Sequence, residues 1–167
     1  MPEPLPKNQI IAVALDVDGV LTQGEIILMP NGDELKIFNA KDGHGIRMLL
    51  KAGIAVAWIT GRSSACNPLR ARDLGVTAVF QETRNKLETL QSWLVSLGFD
   101  PQVDLARVAY MGDDLPDLGV LEKVGLATCP ADAVAAVQSV CHWIAPYDGG
   151  RGAVRALADK ILMSEGL

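Results

Sequence analysis

The sequence predicts an α/β fold: a doubly wound (Rossmann-like) parallel sheet with a β-hairpin insertion after the first strand and no separate cap domain. Three observations lead to this prediction. Apolar runs alternate with helical segments, one pair of short strands interrupts that alternation, and 167 residues suffice for one substantial core. We therefore expect a single domain over residues 1–167.

Five short apolar runs have the composition of parallel strands that are buried on both faces. They span residues 10–15, 54–59, 77–80, 107–111 and 124–128. Helical segments are predicted at residues 42–51, 68–74, 85–97, 115–123 and 152–163, with Asn67 as the cap and Pro68 in the first turn of the second helix. Since ligands of such sheets bind at the carboxyl ends of the strands, residues that directly follow a strand are the first candidates for a functional site.

The insertion is predicted at residues 24–38. Its two arms, residues 25–29 and 34–38, are joined by a Pro-Asn-Gly-Asp turn, and Asn-Gly is a strong hairpin signal. The arms carry more apolar side chains than an isolated two-stranded hairpin can leave in water. We therefore expect another surface to cover the hairpin.

The composition indicates which kinds of partner to expect and in which compartment the protein acts. Apolar residues make up 49% of the chain and the net charge is −5, without a basic run that could wrap a polyanion, so we expect no nucleic-acid partner. No apolar stretch reaches membrane-spanning length, and the first nine residues resemble a loose leader rather than a signal peptide. The unmatched cysteines Cys66, Cys129 and Cys141 suit reduced thiols, which predicts a cytoplasmic protein.

Two carboxylates, Asp16 and Asp18, follow the first strand, and Gly19 lets the chain turn away behind them. Carboxylates this close repel each other unless a cation or a shared proton lies between them. One can then serve as a metal-bound nucleophile and the other as a proton donor. An ordinary acidic turn at the end of a strand is the alternative interpretation.

Candidate phosphate-binding groups follow the next two strands. Thr60 and Gly61 come directly after the second strand and can present a hydroxyl and backbone N–H donors to an anion. Lys86 begins a helix after the third strand and can bring a cation to the same edge of the sheet. Each of these residues, taken alone, is equally compatible with a turn or a solvated surface.

A second acidic group, Asp113 and Asp114, follows the fourth strand, with Asp117 one turn into the next helix. Oxygen-only clusters favour a hard cation, and Mg²⁺ is the usual choice beside phosphate. A helix-capping role for Asp114 or Asp117 is the alternative. The ordered succession of acidic pair, hydroxyl, lysine and acidic pair favours a catalytic site.

In these four segments, DVDGV, ITGR, Lys86 and GDDLPD, the sequence resembles the haloacid dehalogenase superfamily. The resemblance implies that Asp16 is the nucleophile, that Asp18 is the general acid and base, and that Thr60 and Lys86 bind the transferring phosphoryl group. It further implies that Mg²⁺ is held by Asp16, the Asp18 backbone carbonyl and Asp113, with Asp114 supporting that shell.

A narrower resemblance covers nearly the whole chain, through FNAKDGHGI, NKLETL, VGLATCPADA and GGRGAVR among other segments. It is to the capless phosphatases of 3-deoxy-D-manno-octulosonate 8-phosphate in lipopolysaccharide synthesis, and it implies a sugar-acid phosphate as substrate. It also implies a homotetramer in which the hairpins of neighbours help to close each site. Arg62 would bind the substrate's carboxylate, and Arg151 would bind substrate from a flexible glycine-rich loop.

Other functions stay open at this point. A phosphatase of a sialic-acid-type 9-phosphate would share the catalytic residues, although such enzymes tend to carry a glutamate at the position of Arg62. A non-catalytic tetramerising module of sugar-nucleotide synthesis would be expected to lose catalytic carboxylates, all of which are present here. A phospho-receiver domain would place its acceptor aspartate after the third strand.

Two positions, Asn67-Pro68 and Ala156, depart from the pattern of the relatives. These departures concern packing or the walls of the substrate site.

Overall fold

The computed structural model describes residues 9–166, so residues 1–8 of the predicted leader lie outside the described part of the chain. Eight strands are present in the described part. They are β1 (Ala12–Leu15), β2 (Ile27–Leu28), β3 (Glu34–Leu35), β4 (Ala55–Ile59), β5 (Ala78–Phe80), β6 (Val108–Met111), β7 (Leu126–Cys129) and β8 (Trp143–Ile144).

Six of these strands form one parallel sheet in the order β5-β4-β1-β6-β7-β8. The chain builds outward from β1 to β5, then returns to the other side of β1 and builds outward again to β8. This order confirms the doubly wound fold, with its switch point between β1 and β6. Each predicted run matches one strand, with β7 ending one residue beyond its run, and the short edge strand β8 was not predicted.

The helices are α1 (Ala40–Lys51), α2 (Cys66–Leu74), α3 (Lys86–Ser96), α4 (Pro101–Asp104), α5 (Leu118–Leu121), α6 (Ala135–Gln138) and α7 (Ala153–Ser164). The short helices α4 and α6 were not predicted. Within residues 9–166, no helix combines the length and the apolar character that crossing a bilayer requires.

The predicted start of α2 is wrong. This helix begins at Cys66, and Asn67 lies inside its first turn, fully buried, instead of capping it. The Asn67 side chain donates a hydrogen bond from Nδ2 to Oε1 of Gln81, at 2.8 Å. The Asn67 side chain therefore binds Gln81, a residue distant in sequence, whereas the local sequence pattern had predicted that it caps the helix.

Two hydrophobic cores lie on the two faces of the sheet because alternate residues of each strand point to opposite sides. Val13 and Leu15 face the core formed with α1, α2 and α7, whereas Ala12 and Ala14 face the core formed with α3, α5 and α6. With both faces covered, the carboxyl edge of the sheet remains for ligands.

The predicted insertion is confirmed as a two-stranded antiparallel hairpin, with Ile27 opposite Leu35 and Leu28 opposite Glu34. Its paired strands are shorter than the predicted arms. Gly32 supplies the positive φ of the turn, at +90°. Phe38, at the end of the second arm, packs against the core, whereas six other apolar residues of the arms remain exposed in this single chain: Ile26, Ile27, Leu28, Met29, Leu35 and Ile37.

Candidate active site

A cavity of about 380 Å³ opens at the carboxyl ends of β1, β4 and β6, next to the switch point of the sheet. Three loops and the start of α3 reach it, which is the arrangement that the sequence predicted. The cavity brings together nearly all of the predicted site residues: Asp16, Asp18, Thr60, Gly61, Arg62, Lys86, Asp113 and Asp114.

Asp16, the predicted nucleophile, lies directly after β1 and is only 7% exposed. Its Oδ1 accepts a hydrogen bond from the Val17 N–H at 2.7 Å, and its Oδ2 lies 3.0 Å from Nζ of Lys86. The backbone and the lysine together fix the orientation of this carboxylate towards the cavity.

Asp16 is part of a cluster with Asp113 and Asp117, in which one carboxylate oxygen of each residue lies within 4.8 Å of the others. Two glycines make the approach possible. A Cβ at Gly19 would lie 2.0 Å from Oδ2 of Asp113, and a Cβ at Gly112 would lie 2.4 Å from the Asp117 carboxyl carbon. Any side chain at either position would push the carboxylates apart.

The electrostatics of the cluster are those of a cation site. Burial, followed by the charges of Asp16 and Asp117, raises the pKa of Asp113 to about 8. Burial, followed by the charge of Asp117, likewise raises the pKa of Asp16 to about 7, although Lys86 opposes the shift. Oδ1 of Asp113 is buried and has no hydrogen-bond partner in the described part of the chain. The cluster thus presents three crowded carboxylates with one unpaired hard oxygen, a donor set that fits Mg²⁺.

Lys86 and Asp117 belong to a buried network that extends beneath the cluster. Lys86 Nζ lies 2.7 Å from Oδ1 of Asp117, and the same oxygen accepts a hydrogen bond from the Tyr110 hydroxyl at 2.6 Å. Burial by itself lowers the pKa of Lys86, but Asp16 and Asp117 more than offset this and raise it. Burial, followed by the charge of Asp117, raises the pKa of Tyr110 well above its ordinary value, so the phenol remains a donor.

Asp114 and Asp117 have different roles: one caps a turn and the other belongs to the acidic cluster. The Asp114 carboxylate is exposed and accepts a hydrogen bond from the Leu115 N–H at 2.7 Å, so it caps the 3₁₀ turn that follows. Asp117 is fully buried and its Oδ2 accepts hydrogen bonds from the Asp113 and Asp114 N–H groups. The supporting role of Asp114 in a metal shell stays a prediction, whereas Asp117 lies in the cluster.

Thr60 and Gly61 occupy the loop after β4, on the other side of Asp16. Thr60 is 1% exposed, its N–H donates to the carbonyl of Phe80, and its Oγ1 accepts a hydrogen bond from the Arg62 N–H at 3.2 Å. These bonds hold the hydroxyl at the wall of the cavity, where it can donate to an anion. Gly61 is exposed, so its backbone remains accessible there.

Asp18 and Arg62 are joined by two residues of the hairpin that were not predicted as site residues. Nζ of Lys36 contacts Oδ1 of Asp18 and lies 2.7 Å from Oε1 of Glu34. The Arg62 guanidinium lies 3.0 Å from Oε2 of Glu34 and 4.0 Å from Oδ2 of Asp18. The pKa of Glu34 lies below its ordinary value. The hydrogen bond from Lys36 lowers this pKa most, burial raises it, and the hydrogen bond from Arg62 lowers it further.

Arg151 is the predicted site residue that the structure does not bring to the cluster. It lines a separate cavity of about 920 Å³ together with Lys41, Trp143 and Arg155. Its loop nevertheless packs beside the Asp18 turn, since the Gly150 N–H donates to the carbonyl of Val20 at 2.9 Å. Substrate binding by Arg151 stays a prediction that the fold of this single chain does not favour.

Sequence signals exist for two of the missed residues, Lys36 and Asp117. Lys36 alternates with the apolar residues Leu35 and Ile37 in a hairpin arm, so its side chain is expected on the opposite face of the hairpin from theirs. Asp117 follows Asp113 at helical spacing, within the same acidic motif. Tyr110 has no comparable signal, because a tyrosine in a buried strand is usually a core residue.

The chain is similar to characterised phosphatases over most of its length, although no protein-family model matches it. It is 44% identical over 159 residues to the 3-deoxy-D-manno-octulosonate 8-phosphate phosphatase KdsC of Escherichia coli, a match that spans 95% of this chain and 82% of the relative.

Solved structures agree with that similarity. The 3-deoxy-D-manno-octulosonate 8-phosphate phosphatase of Moraxella catarrhalis, in complex with a magnesium ion, a phosphate ion and KDO, superposes with a TM-score of 0.88 at 38% identity, covering 93% of this chain and 87% of that one. A Legionella pneumophila structure named for the HAD superfamily, subfamily III A, has a TM-score of 0.88 at 38% identity, covering 94% and 84% of the two chains.

Proposed function

The chain belongs to the 3-deoxy-D-manno-octulosonate 8-phosphate phosphatases of the haloacid dehalogenase superfamily, and from this membership we propose that it hydrolyses that sugar-acid phosphate with Mg²⁺ as cofactor. The products are the free sugar acid, which enters lipopolysaccharide synthesis, and inorganic phosphate. The observation that carries the proposal is the cluster of Asp16, Asp113 and Asp117 facing Lys86 and Thr60 in one cavity.

The oxygen donors of the cluster fit Mg²⁺ by their chemistry. Asp16 and Asp113 supply carboxylate oxygens whose mutual repulsion a cation would relieve, and the backbone carbonyl of Asp18 is the third predicted ligand. When bound, Mg²⁺ neutralises negative charge on the phosphoryl oxygens and so favours attack by another anion.

The residues of this chain supply the remaining parts of the reaction. Asp16 attacks the phosphorus atom and forms an aspartyl phosphate while the bond to the sugar oxygen breaks. Asp18 gives its proton to the departing alcohol and then takes one from the water that hydrolyses the intermediate. Lys86 and Thr60 hold the transferring phosphoryl group, because charge on its equatorial oxygens needs a fixed cation and fixed donors.

Arg62 is proposed to recognise the carboxylate of the sugar acid. Its side chain is 47% exposed, lines the cavity and lies 4.0 Å from Oδ2 of Asp18. An anion there would share the guanidinium with Glu34, which already occupies part of it. A contact of this kind separates substrates with a second anion from simple phosphate esters.

We further propose that residues 1–167 form one domain, that the protein acts in the cytoplasm, and that it is a homotetramer assembled through the hairpin. The exposed apolar arms support the last point. Leu28 is 68% exposed and Ile37 is 61% exposed, and a second copy of the same hairpin would bury both.

A phosphate-release assay over sugar-acid phosphates, with Mg²⁺ and with excess chelator, tests the function. We expect turnover of 3-deoxy-D-manno-octulosonate 8-phosphate that chelation abolishes and Mg²⁺ restores, and little turnover by the Asp16→Asn variant. A preference for a sialic-acid-type 9-phosphate would replace the substrate and keep the chemistry. Absence of turnover of any phosphate ester by the metal-loaded wild type would overturn the proposal in favour of a non-catalytic module.

A further inference from the structure

The side chain of Lys36 is buried although its neighbours in the hairpin are exposed. It follows β3 in the hairpin, between Leu35 and Ile37, whose exposures are 42% and 61%, yet the Lys36 side chain is 1% exposed. Burying an ammonium group costs free energy unless charged partners compensate for the lost water. The partners of Lys36 therefore explain why it turns inward.

Both partners of Lys36 are carboxylates. Its Nζ contacts Oδ1 of Asp18 and lies 2.7 Å from Oε1 of Glu34, while Arg62 holds the other oxygen of Glu34 at 3.0 Å. Two cations thus meet two anions, and the group is balanced in charge. This balance requires Asp18, because Glu34 alone would leave the two cations with an uncompensated positive charge.

The contact with Asp18 distinguishes the two oxygens of that carboxylate. Oδ1 is held by Lys36, whereas Oδ2 is buried and accepts no hydrogen bond within residues 9–166. The lysine therefore fixes the plane of the carboxyl group, while Oδ2 lies 4.0 Å from Nε of Arg62 and has no hydrogen bond in the described part of the chain. Transfer of a proton to a leaving group requires an oxygen held in this way, within hydrogen-bond reach of the acceptor.

Few other polar contacts attach the hairpin to this edge of the sheet. Apart from Lys36 and Glu34 with their ion pairs, the Cys66 thiol donates to the carbonyl of Glu34 at 3.4 Å. This small group of charges, together with the stacking of Phe38 on Trp58, holds the hairpin in place, and the same charges orient Asp18.

We propose that Lys36 is a positioning residue for Asp18, so that the hairpin insertion contributes directly to the active site of its own chain. The proposal rests on the proposed function, in which Asp18 is the general acid and base. As the bond between phosphorus and the leaving oxygen breaks, the proton moves from Oδ2 of Asp18 to that oxygen. The water that later attacks phosphorus returns a proton to the same oxygen, and Lys36 keeps its own proton throughout.

The test compares two leaving groups in Lys36→Met, which keeps most of the side-chain volume and removes the charge. The rate of the first turnover is measured by rapid quenching for the sugar-acid phosphate, an alkyl ester, and for 4-nitrophenyl phosphate. The alkoxide needs a proton to depart, so its release should slow by roughly 10- to 100-fold, a fraction of what a general acid contributes. The nitrophenolate leaves without one, and its release should slow by less than about threefold.

Two further variants separate positioning from folding. Lys36→Arg keeps the charge and should restore the alkyl rate to within about fivefold of the wild type, because a guanidinium can bind both carboxylates. Lys36→Gln provides the same comparison of leaving groups if Lys36→Met does not fold. Lys123→Met is the matched control: this exposed lysine precedes β7, at the opposite edge of the sheet, and its loss should change neither rate.

Equal slowing of the two leaving groups in folded variants would assign Lys36 a structural role and overturn the proposal. An unchanged alkyl rate would overturn it as well. A wild-type protein that fails to hydrolyse both esters would instead refute the proposed function, and the role of Lys36 with it.

Discussion

The hydroxyl of Tyr110 donates a 2.6 Å hydrogen bond to Oδ1 of Asp117, the same oxygen that lies 2.7 Å from Nζ of Lys86. A residue of the sheet interior therefore supports a lysine of the proposed active site through one shared carboxylate. The arrangement is buried throughout, so each partner depends on the others for compensation of its lost hydration.

Tyr110→Phe should lower the free energy of unfolding by about 1.5–3 kcal/mol, the usual cost of removing a buried hydrogen bond to a charged group. Denaturant titration in the presence of chelator measures this effect. Tyr147→Phe is the control, because Tyr147 is 54% exposed and its hydroxyl has no hydrogen-bond partner in the described part of the chain. Equal stability of the two variants would show that the network does not stabilise the fold.

Asp16→Asn should abolish turnover, because an amide is neither a nucleophile for phosphorus nor an anionic ligand of Mg²⁺. The metal-free variant should be at least as stable as the wild type, since the substitution removes one of three crowded carboxylates. Phosphate release and thermal unfolding with chelator are the measurements. Asp100→Asn controls for the loss of charge, because Asp100 is an exposed N-cap and asparagine can cap the helix equally well. Substantial hydrolysis by Asp16→Asn would contradict the mechanism.

Mg²⁺ binding should release protons near neutral pH. In the metal-free protein the pKa of Asp113 is raised to about 8 and that of Asp16 to about 7, from an ordinary value of 3.8. Since the metal binds the ionised carboxylates, its affinity should increase from about pH 6 to about pH 8, the range in which these two carboxyl groups lose their protons. Calorimetric titration in two buffers of different ionisation enthalpy measures the protons released, and Asp113→Asn should release fewer. A binding enthalpy independent of the buffer would be evidence against these shifts.

The same two shifts predict how the stability of the metal-free protein depends on pH. Because both folded-state pKa values lie above the unfolded value of 3.8, the folded chain binds more protons than the unfolded chain between that value and about 8. The free energy of unfolding should therefore fall as the pH rises through this window. Urea titrations with chelator at pH 5.5 and about pH 8 test the sign, and added Mg²⁺ should reduce the difference.

Arg62→Ala should reduce activity on 3-deoxy-D-manno-octulosonate 8-phosphate far more than on a small phosphate ester without a carboxylate. Only the sugar acid loses a charge-assisted contact, for which a loss of about 10-fold or more in kcat/KM is expected. Arg72→Ala, on the exposed part of α2, is the control. Equal losses on both substrates would assign Arg62 to the phosphate or to the fold.

Leu28→Asp should dissociate the proposed assembly, because the substitution places a charge in an apolar surface that must be buried between copies. The molar mass in solution, measured by light scattering after gel filtration, should fall from that of a tetramer. Val103→Asp changes an equally exposed residue on α4, 65% against 68%, and should leave the mass unchanged. A monomeric wild type would contradict the proposed assembly directly.

The sequence alone determined the sheet and most of the site. Apolar runs that end in polar residues specify buried parallel strands, and the carboxyl ends of such strands share one edge. For this reason the sequence predicts that Asp16, Thr60 and Asp113, which follow the ends of strands, lie close together. Lys86 could be added because it begins the helix after the third strand.

Only the tertiary structure decided which neighbouring polar residues enter the cluster. Asp117 turns inward and Asp114 caps a turn, Asn67 binds Gln81 instead of capping α2, and Lys36 reaches Asp18 from the hairpin. The positions of Asp117, Asn67 and Lys36 depend on partners far away in the chain, and the approach of the carboxylates depends on the space that Gly19 and Gly112 leave open. A local pattern encodes which face of an element is buried, but the free energy of a buried charge depends on which charges the fold places around it.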